Sequence, residues 1–220
     1  MAKVVVFGTG SFAECVNFYL THDSPHEVVA FTVHRGRIGE QTELAGLPVV
    51  AFEEITETHP PDEYDMFVAV GYAKVNRVRA AICEEAKAKG YSLISYVSSK
   101  ATTWGDTKIG ENVFIFEDNT IQPFVEIGDD TVLWSGNHIG HHATIGPHCF
   151  ITSHVVISGH VKVGAYCFIG VNATVRDAIA IGEANVIGSA ALIMKTTKDN
   201  EVYIAPRTKP DARTSDQIGM

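Results

Sequence analysis

Six of the ten histidines fall between residues 138 and 160: His138, His141, His142, His148, His154 and His160. An imidazole titrates near pH 6.5, so a positioned histidine can take a proton from an amine or a hydroxyl at neutral pH. A second site of possible chemistry stands near the N-terminus, where an apolar stretch runs into Gly8-Thr9-Gly10-Ser11-Phe12-Ala13. This matches G-x-G-x-x-G/A after a strand, a turn whose backbone N–H groups can receive a phosphate or pyrophosphate at a helix N-terminus. A dinucleotide site also wants a carboxylate at the end of the second strand. Here that region reads Thr32-Val33-His34-Arg35, with no carboxylate before Glu40, and the domain is too small for a full dinucleotide fold. NAD is therefore disfavoured. A nucleoside diphosphate and a purely structural tight turn are the two readings of the loop.

The formal net charge of −9 argues against a nucleic-acid partner, which calls for a clustered basic surface. With 45% hydrophobic and 20% charged residues the composition is that of a globular chain. No apolar run approaches the roughly 18 residues that would suggest a membrane span. The start MAKVVVFGTGSF lacks the long apolar core and small-residue cleavage site of a signal peptide, so it reads as a first strand of a cytoplasmic protein. Cys15, Cys83, Cys149 and Cys167 show no C-x-x-C spacing and read as buried thiols in a reducing compartment.

The elements that must position these groups follow from two kinds of pattern. Residues 1–100 alternate strands and helices: strands over Lys3–Phe7, Val28–Val33, Met66–Val70 and Leu93–Val97, which implies a small parallel sheet, half of a Rossmann-like fold. Ser11 and Glu14 form a capping box that opens a helix through about Leu20. A second helix over Ala73–Lys89 carries Val75, Val78, Ile82 and Ala86 on one face, with Gly90 as its cap.

From Ile109 an aliphatic residue recurs at every sixth position through Ile193, fifteen times without a gap. Every third hexad opens with an aliphatic–Gly pair, at Ile109, Ile127, Ile145, Val163 and Ile181. An eighteen-residue period means three short strands per coil and a triangular cross-section, with each aliphatic residue pointing inward onto the one a coil later. The fifth hexad position also faces inward. It stacks Cys149 on Cys167 and Asn119 on Asn137, where amides can ladder. Residues 101–198 thus read as a left-handed parallel β-helix, and residues 199–220 as a cap or tail.

The I-G-x-x-x-x repeat resembles that of the hexapeptide-repeat transferases. With the preceding α/β domain and glycine loop, nearly the whole chain resembles the bacterial sugar acyltransferases, namely the sialic-acid O-acetyltransferase-like proteins and the nucleotide-linked amino-sugar N-acetyltransferases. The resemblance implies a homotrimer with active sites in the clefts between subunits, and a glycine loop that holds the diphosphate of a nucleotide sugar through Gly8, Gly10 and Ser11. The stretch from Asn137 to Gly146 resembles the active-site segment and places the general base on His141, at an outward hexad position. His138 and His142 then face the acceptor. The acidic residue that follows the base in the family is His142 here, and a second family histidine nine positions on is Phe150. The acidic pair after the second strand is replaced by Thr32, Val33 and His34.

The same resemblance makes Gly159 the oxyanion donor beside the acyl thioester, and places Gly170 and Val171 along the pantetheine groove. Lys195 meets the coenzyme A phosphates or is simply solvated. The implied reaction is direct transfer of acetyl from acetyl-CoA to the amino group of a nucleotide-linked amino-deoxy sugar, in lipopolysaccharide or other surface-glycan biosynthesis. Sugar O-acetylation of the sialic-acid type and a non-catalytic trimeric scaffold are the alternatives. A γ-class carbonic anhydrase-like zinc site would need histidines spread over two coils ending in a pair five residues apart. No such set with an upstream partner occurs, and no histidine follows His160. No metal is expected on this reading, and His148, His154 and His160 are expected to line the acceptor or subunit cleft.

Overall fold

The computed structural model describes residues 1–40 and 42–219. Its first part is a five-stranded sheet built from β1 (Lys3–Phe7), β2 (Glu27–Val33), β3 (Glu43–Leu44), β4 (Leu47–Ala51) and β5 (Tyr64–Val68), in the order β3-β4-β2-β1-β5. β1 pairs parallel with β2 and β5, β2 pairs parallel with β4, and only β3 is antiparallel. The central strands are apolar on both faces, as a sheet covered by helices requires. Among the described residues, four helices complete this part: α1 (Ser11–Asp23), α2 (Arg35–Ile38), α3 (Ile55–Thr58) and α4 (Arg77–Ala88).

Three local expectations are corrected. Gly10, not Ser11, is the N-cap of α1, and no side chain caps it. Ser11 is already inside the helix, so its hydroxyl stands one position too late to close a capping box. α4 begins at Arg77 rather than Ala73, because Lys74, Val75 and Asn76 all adopt left-handed backbone (φ 52°, 52° and 63°). The stretch Leu93–Val97 does not close the sheet as one strand. Leu93 bridges Met66, and then β6 (Tyr96–Val97) leaves the sheet to pair with Phe114–Ile115. The Tyr96 and Ser98 N–H groups donate to Val113 and Ile115 carbonyls at 2.8 and 2.9 Å.

The second part is the left-handed parallel β-helix. Its two-residue strands stack into three faces with an eighteen-residue register, so that Ile127 lies between Ile109 and Ile145, and Ile139 between Ile121 and Ile157. The first face includes Phe114–Ile115, Val132–Leu133 and Phe150–Ile151; the second includes His138–Ile139 and Val156–Ile157; the third includes Thr144–Ile145 and Lys162–Val163. Each fully buried Ile or Leu contributes roughly 1.5–3 kcal/mol. Cys149 and Cys167 stack inside the coil and donate their thiols to the carbonyls of Gly164 (3.2 Å) and Gly182 (3.1 Å). The inward asparagines bond backbone instead of one another: Asn137 Oδ1 accepts the Val155 N–H (2.8 Å), and Asn119 Nδ2 donates to Phe116 and Trp134 carbonyls.

The α/β part docks on the first face. Phe12, Phe114, Phe116, Trp134 and Phe150 form the apolar seam, with Phe116 and Trp134 stacked at 4.5 Å. A buried polar latch lies beside it. Arg79 of α4 donates Nε to Asp130 Oδ1 (2.7 Å) and Nη2 to the Asp130 and Cys149 carbonyls. Asp130 also accepts from Asn112 Nδ2 (2.9 Å) and lies 2.9 Å from His148 Nδ1. No helix among the described residues is long and apolar enough to cross a membrane.

Candidate functional site

Two groups of residues define the site. The first is a cavity of about 780 Å³ at the C-terminal ends of β1, β2 and β5, where ligands of parallel α/β sheets usually bind. Gly8, Thr9, Gly10 and Phe12 line it from the loop, and Arg37, Lys74 and Arg77 bring cationic side chains. Gly8 cannot be another residue without rearrangement, because a Cβ there would lie 2.6 Å from the Ala69 carbonyl and its φ is +129°. Gly10 has open space beside it, which leaves the start of α1 free to meet an anion. Gly8 and Gly10 thus line the cavity, whereas Ser11 is exposed and outside the lining.

The cationic rim is set by the left-handed turn before α4. The buried Asn76 side chain donates Nδ2 to the Tyr166 and Cys167 carbonyls of the coil (3.3 and 3.1 Å). A β-branched residue in the left-handed region, as Val75 is, is a costly conformation. The contacts of Asn76 hold it, and thereby fix Lys74 and Arg77 against the cavity. The Arg77 guanidinium in turn lies 4.6 Å from the Tyr166 ring centre. Where the family's acidic pair is missing, His34 stands between two carboxylates from elsewhere, Glu53 at 3.3 Å and Glu85 at 3.4 Å.

The second group stands at the corner between the second and third faces of the coil. His141 projects outward there and is exposed, as its hexad position requires. A Cβ on Gly159 would come within 2.9 Å of His141 Nε2, so the imidazole lies directly over the Gly159 backbone. His141 Nδ1 lies 3.1 Å from His142 Nδ1, with one nitrogen donating and the other accepting. The position of the family's acidic partner is thus filled by a second imidazole. His142 stacks on His160, one coil further on, at 4.8 Å, and His141 meets His160 edge-on at 4.9 Å. Phe124 packs on the other side of His142 at 4.6 Å.

The remaining histidines are dispersed. His138 stands on the flat of the second face, in a column with Thr120 and Val156. His148 does not line a cleft with His142. It lies at the corner between the third and first faces, beside Asp130 and stacked on Tyr166 at 4.7 Å. His154 occupies the third corner, against Gly136. All four histidines at the fourth hexad position have left-handed backbone, with φ between 58° and 60°. That conformation favours Asn, Asp, Gly and His, so part of the histidine enrichment is conformational in origin. The fourth-position series Asn112, Asp118, Asp130 and Gly136 already carries this signal in the sequence.

Gly170 is buried, and a Cβ there would lie 2.5 Å from the Ser189 nitrogen of the next coil, so it serves the stacking of coils directly. Val171 is 39% exposed beside it. Lys195 is exposed and lines a shallow groove of about 420 Å³ with Met194 and Lys198 near the end of the coil. Burial pushes the Cys149, Cys83 and Cys15 thiols up; the hydrogen bond with Cys149 lowers Cys167, but that thiol is fully buried inside the coil, out of reach of a substrate.

The sequence profile of the bacterial transferase hexapeptide family (six repeats) matches residues 106–140 and 126–159. Residues 106–159 therefore carry hexapeptide repeats of this kind, and the chain as a whole shares its fold, an α/β domain followed by a left-handed β-helix, with the solved structures that follow. The acetyltransferase domain of PglB from Neisseria gonorrhoeae FA1090 superposes with a TM-score of 0.82 at 23% identity, over 92% of this chain and 96% of that one. PerB from Caulobacter crescentus, solved with CoA and GDP-perosamine, gives 0.79 at 22% identity over 92% and 93%. WeeI from Acinetobacter baumannii AYE gives 0.70 at 17% over 92% and 96%. The PglB domain has also been solved with acetyl coenzyme A. No curated protein matches in sequence.

Proposed function

We propose that the protein is an acetyl-CoA-dependent N-acetyltransferase acting on the amino group of a nucleotide-linked amino-deoxy sugar, with His141 as general base. The observation that carries this reading is the seating of the His141 imidazole over the Gly159 backbone at an open corner of the coil. In this arrangement Nδ1–H of His141 donates to His142, leaving Nε2 free to take the proton of the attacking amine. The amine attacks the thioester carbonyl, the Gly159 N–H steadies the oxyanion, and the proton passes from Nε2 to the departing CoA thiolate. Support for a nucleotide-linked acceptor comes from the glycine loop and the three cations of the α/β cavity. Support for the donor and acceptor classes comes from PerB, solved with CoA and GDP-perosamine.

The topology supports a site shared between copies, and the resemblance makes the assembly a homotrimer. The cavity lies against the first face, beside Tyr166 at the corner between the third and first faces, whereas His141 stands at the corner between the second and third. A sugar held in the cavity is presented away from its own His141, so the acceptor is served by the His141 of a neighbouring copy. Acyl-CoA lies in the groove between two coils, along Gly170 and Val171 towards Lys195. Residues 1–100, 101–198 and 199–220 then act as acceptor-binding domain, catalytic coil and cap, in the cytoplasm and in the service of a surface glycan such as lipopolysaccharide.

The test is mass spectrometry of reactions with acetyl-CoA and a panel of UDP-, GDP- and dTDP-linked amino sugars, with sialic acid included. The reading expects one acetyl group gained on an amino sugar. Acetylated sialic acid alone would assign O-transfer instead, and an unmodified panel would leave a sugar-nucleotide-binding scaffold.

A further inference from the structure

Three imidazoles converge at the His141 corner. His141, His142 and His160 each offer a ring nitrogen, and these ligand atoms all lie within 4.8 Å of one another. The Nδ1 atoms of His141 and His142 are themselves 3.1 Å apart. Tetrahedral zinc with Zn–N bonds of about 2.05 Å holds its nitrogens about 3.3 Å apart, so that edge needs no adjustment. For His160 to join them its ring must turn out of its stack on His142, because an imidazole binds an ion in its own ring plane.

The backbone under this triad is rigid. The His142 N–H donates to the Pro123 carbonyl (3.2 Å), and the His160 N–H donates to the His141 carbonyl (2.9 Å). His142 and His160 therefore keep a fixed one-coil offset, with their rings within 16° of parallel. All three are exposed, so an ion reaches them without opening the fold.

We propose that His141, His142 and His160 form a binding site for a divalent transition metal, with zinc as the best-matched ion, and that occupancy silences His141 as a base. The inhibitory part rests on the assignment of His141 under Proposed function; the binding site itself does not. A metal on Nδ1 of His141 takes that lone pair and fixes the neutral ring in the tautomer with its proton on Nε2. Nε2 is the atom over Gly159 that must be unprotonated to accept the amine proton. The metal-bound ring thus presents a donor where the reaction needs an acceptor. Three nitrogen ligands leave the fourth position of the ion to water.

The test is equilibrium dialysis of the full-length protein against zinc at pH 7.5, alongside acetyl transfer at the same free zinc concentrations. The wild type should bind one zinc per chain with a micromolar Kd, and turnover should fall with the same midpoint and return with EDTA. His160→Ala should bind zinc at least tenfold more weakly, with its zinc inhibition, referred to its own zinc-free rate, shifted in step. His154→Ala, at another corner, should match the wild type in both readings. Failure to bind zinc below 100 µM, or equal binding by His160→Ala, would overturn the metal site and leave the base assignment standing. Stoichiometric zinc lost in His160→Ala but without effect on wild-type turnover would overturn the silencing, while the base assignment stands or falls separately on the rate of His141→Ala.

Discussion

Asp130→Asn should destabilise the junction between the two parts of the chain by roughly 3–5 kcal/mol, the cost of leaving a buried charge unpaired. The structure supplies the terms. Arg79 is fully buried and Asp130 is 2% exposed, so neither charge is screened by water. Removing the carboxylate charge leaves the Arg79 guanidinium with neutral partners only: the Asp130 and Cys149 carbonyls and, more distantly, Asn76 Oδ1 (3.3 Å) and the Val70 and Gly71 carbonyls (3.4 Å each). Asn is the suitable probe because residue 130 has φ 54°, which Asn tolerates. At an m-value of about 2 kcal/mol/M the urea midpoint should fall by roughly 2 M. Arg79→Met added to Asp130→Asn should recover most of the loss, because no unpaired charge then remains. The assay is urea denaturation followed by circular dichroism and by tryptophan fluorescence, which reports Trp134 in the seam. A midpoint shift below 0.5 M for Asp130→Asn, or a double variant less stable than the single one, would refute the buried-pair account.

Gly159→Ala should lower turnover by roughly 10–100-fold, since a Cβ at that point displaces the imidazole, while stability changes by under about 0.5 kcal/mol; kcat and a melting curve check both halves. His142→Asp should raise the acidic kinetic pKa of kcat/KM, because a carboxylate beside His141 favours the imidazolium where the neutral imidazole of His142 favours it less. A pH profile that stays in place would detach His142 from the tuning of the base. Asp23 is held down at about 2, against an ordinary 3.8, by hydrogen bonds from Ser99 and then from Tyr96. A depressed folded pKa stabilises above the unfolded value, so this contribution is complete above pH 3.8 and is lost as pH falls towards 2. The stability gap between wild type and Asp23→Asn should accordingly narrow across that window in urea titrations at stepped pH.

The coil was legible in the sequence because one rule repeats fifteen times: an inward aliphatic residue at every sixth position, where any failure would expose the core. That rule also put Cys149 and Cys167 inside and His141 outside, as the structure has them. The α/β part was less legible because its signals are single events. β4 carries Pro48 and pairs on one side with the two-residue β3, so its pattern is too short and too interrupted to read. Tyr96 and Val97 are apolar and extended in either setting, and only pairing with Phe114 and Ile115 shows which part owns them. The left-handed turn at Lys74–Asn76 has no local glycine to announce it; it exists because Asn76 bonds backbone carbonyls ninety residues away. At the corner of the coil, the resemblance placed the base on His141, but the partnership with His142 and His160 depends on rotamers and on stacking between coils. The fourth-position preference for left-handed backbone is a signal the sequence did contain, and all four histidines there share it; the eighteen-residue register is what sets His148 and His154 at other corners from His142 and His160.

The most direct test of the account is the rate of acetyl transfer from acetyl-CoA to the best nucleotide-linked amino sugar, compared between the wild type and His141→Ala. A general base contributes typically 10²–10⁴-fold, so His141→Ala should fall by about that factor while its fold and nucleotide-sugar affinity persist. An undiminished rate in His141→Ala would contradict the account at its centre.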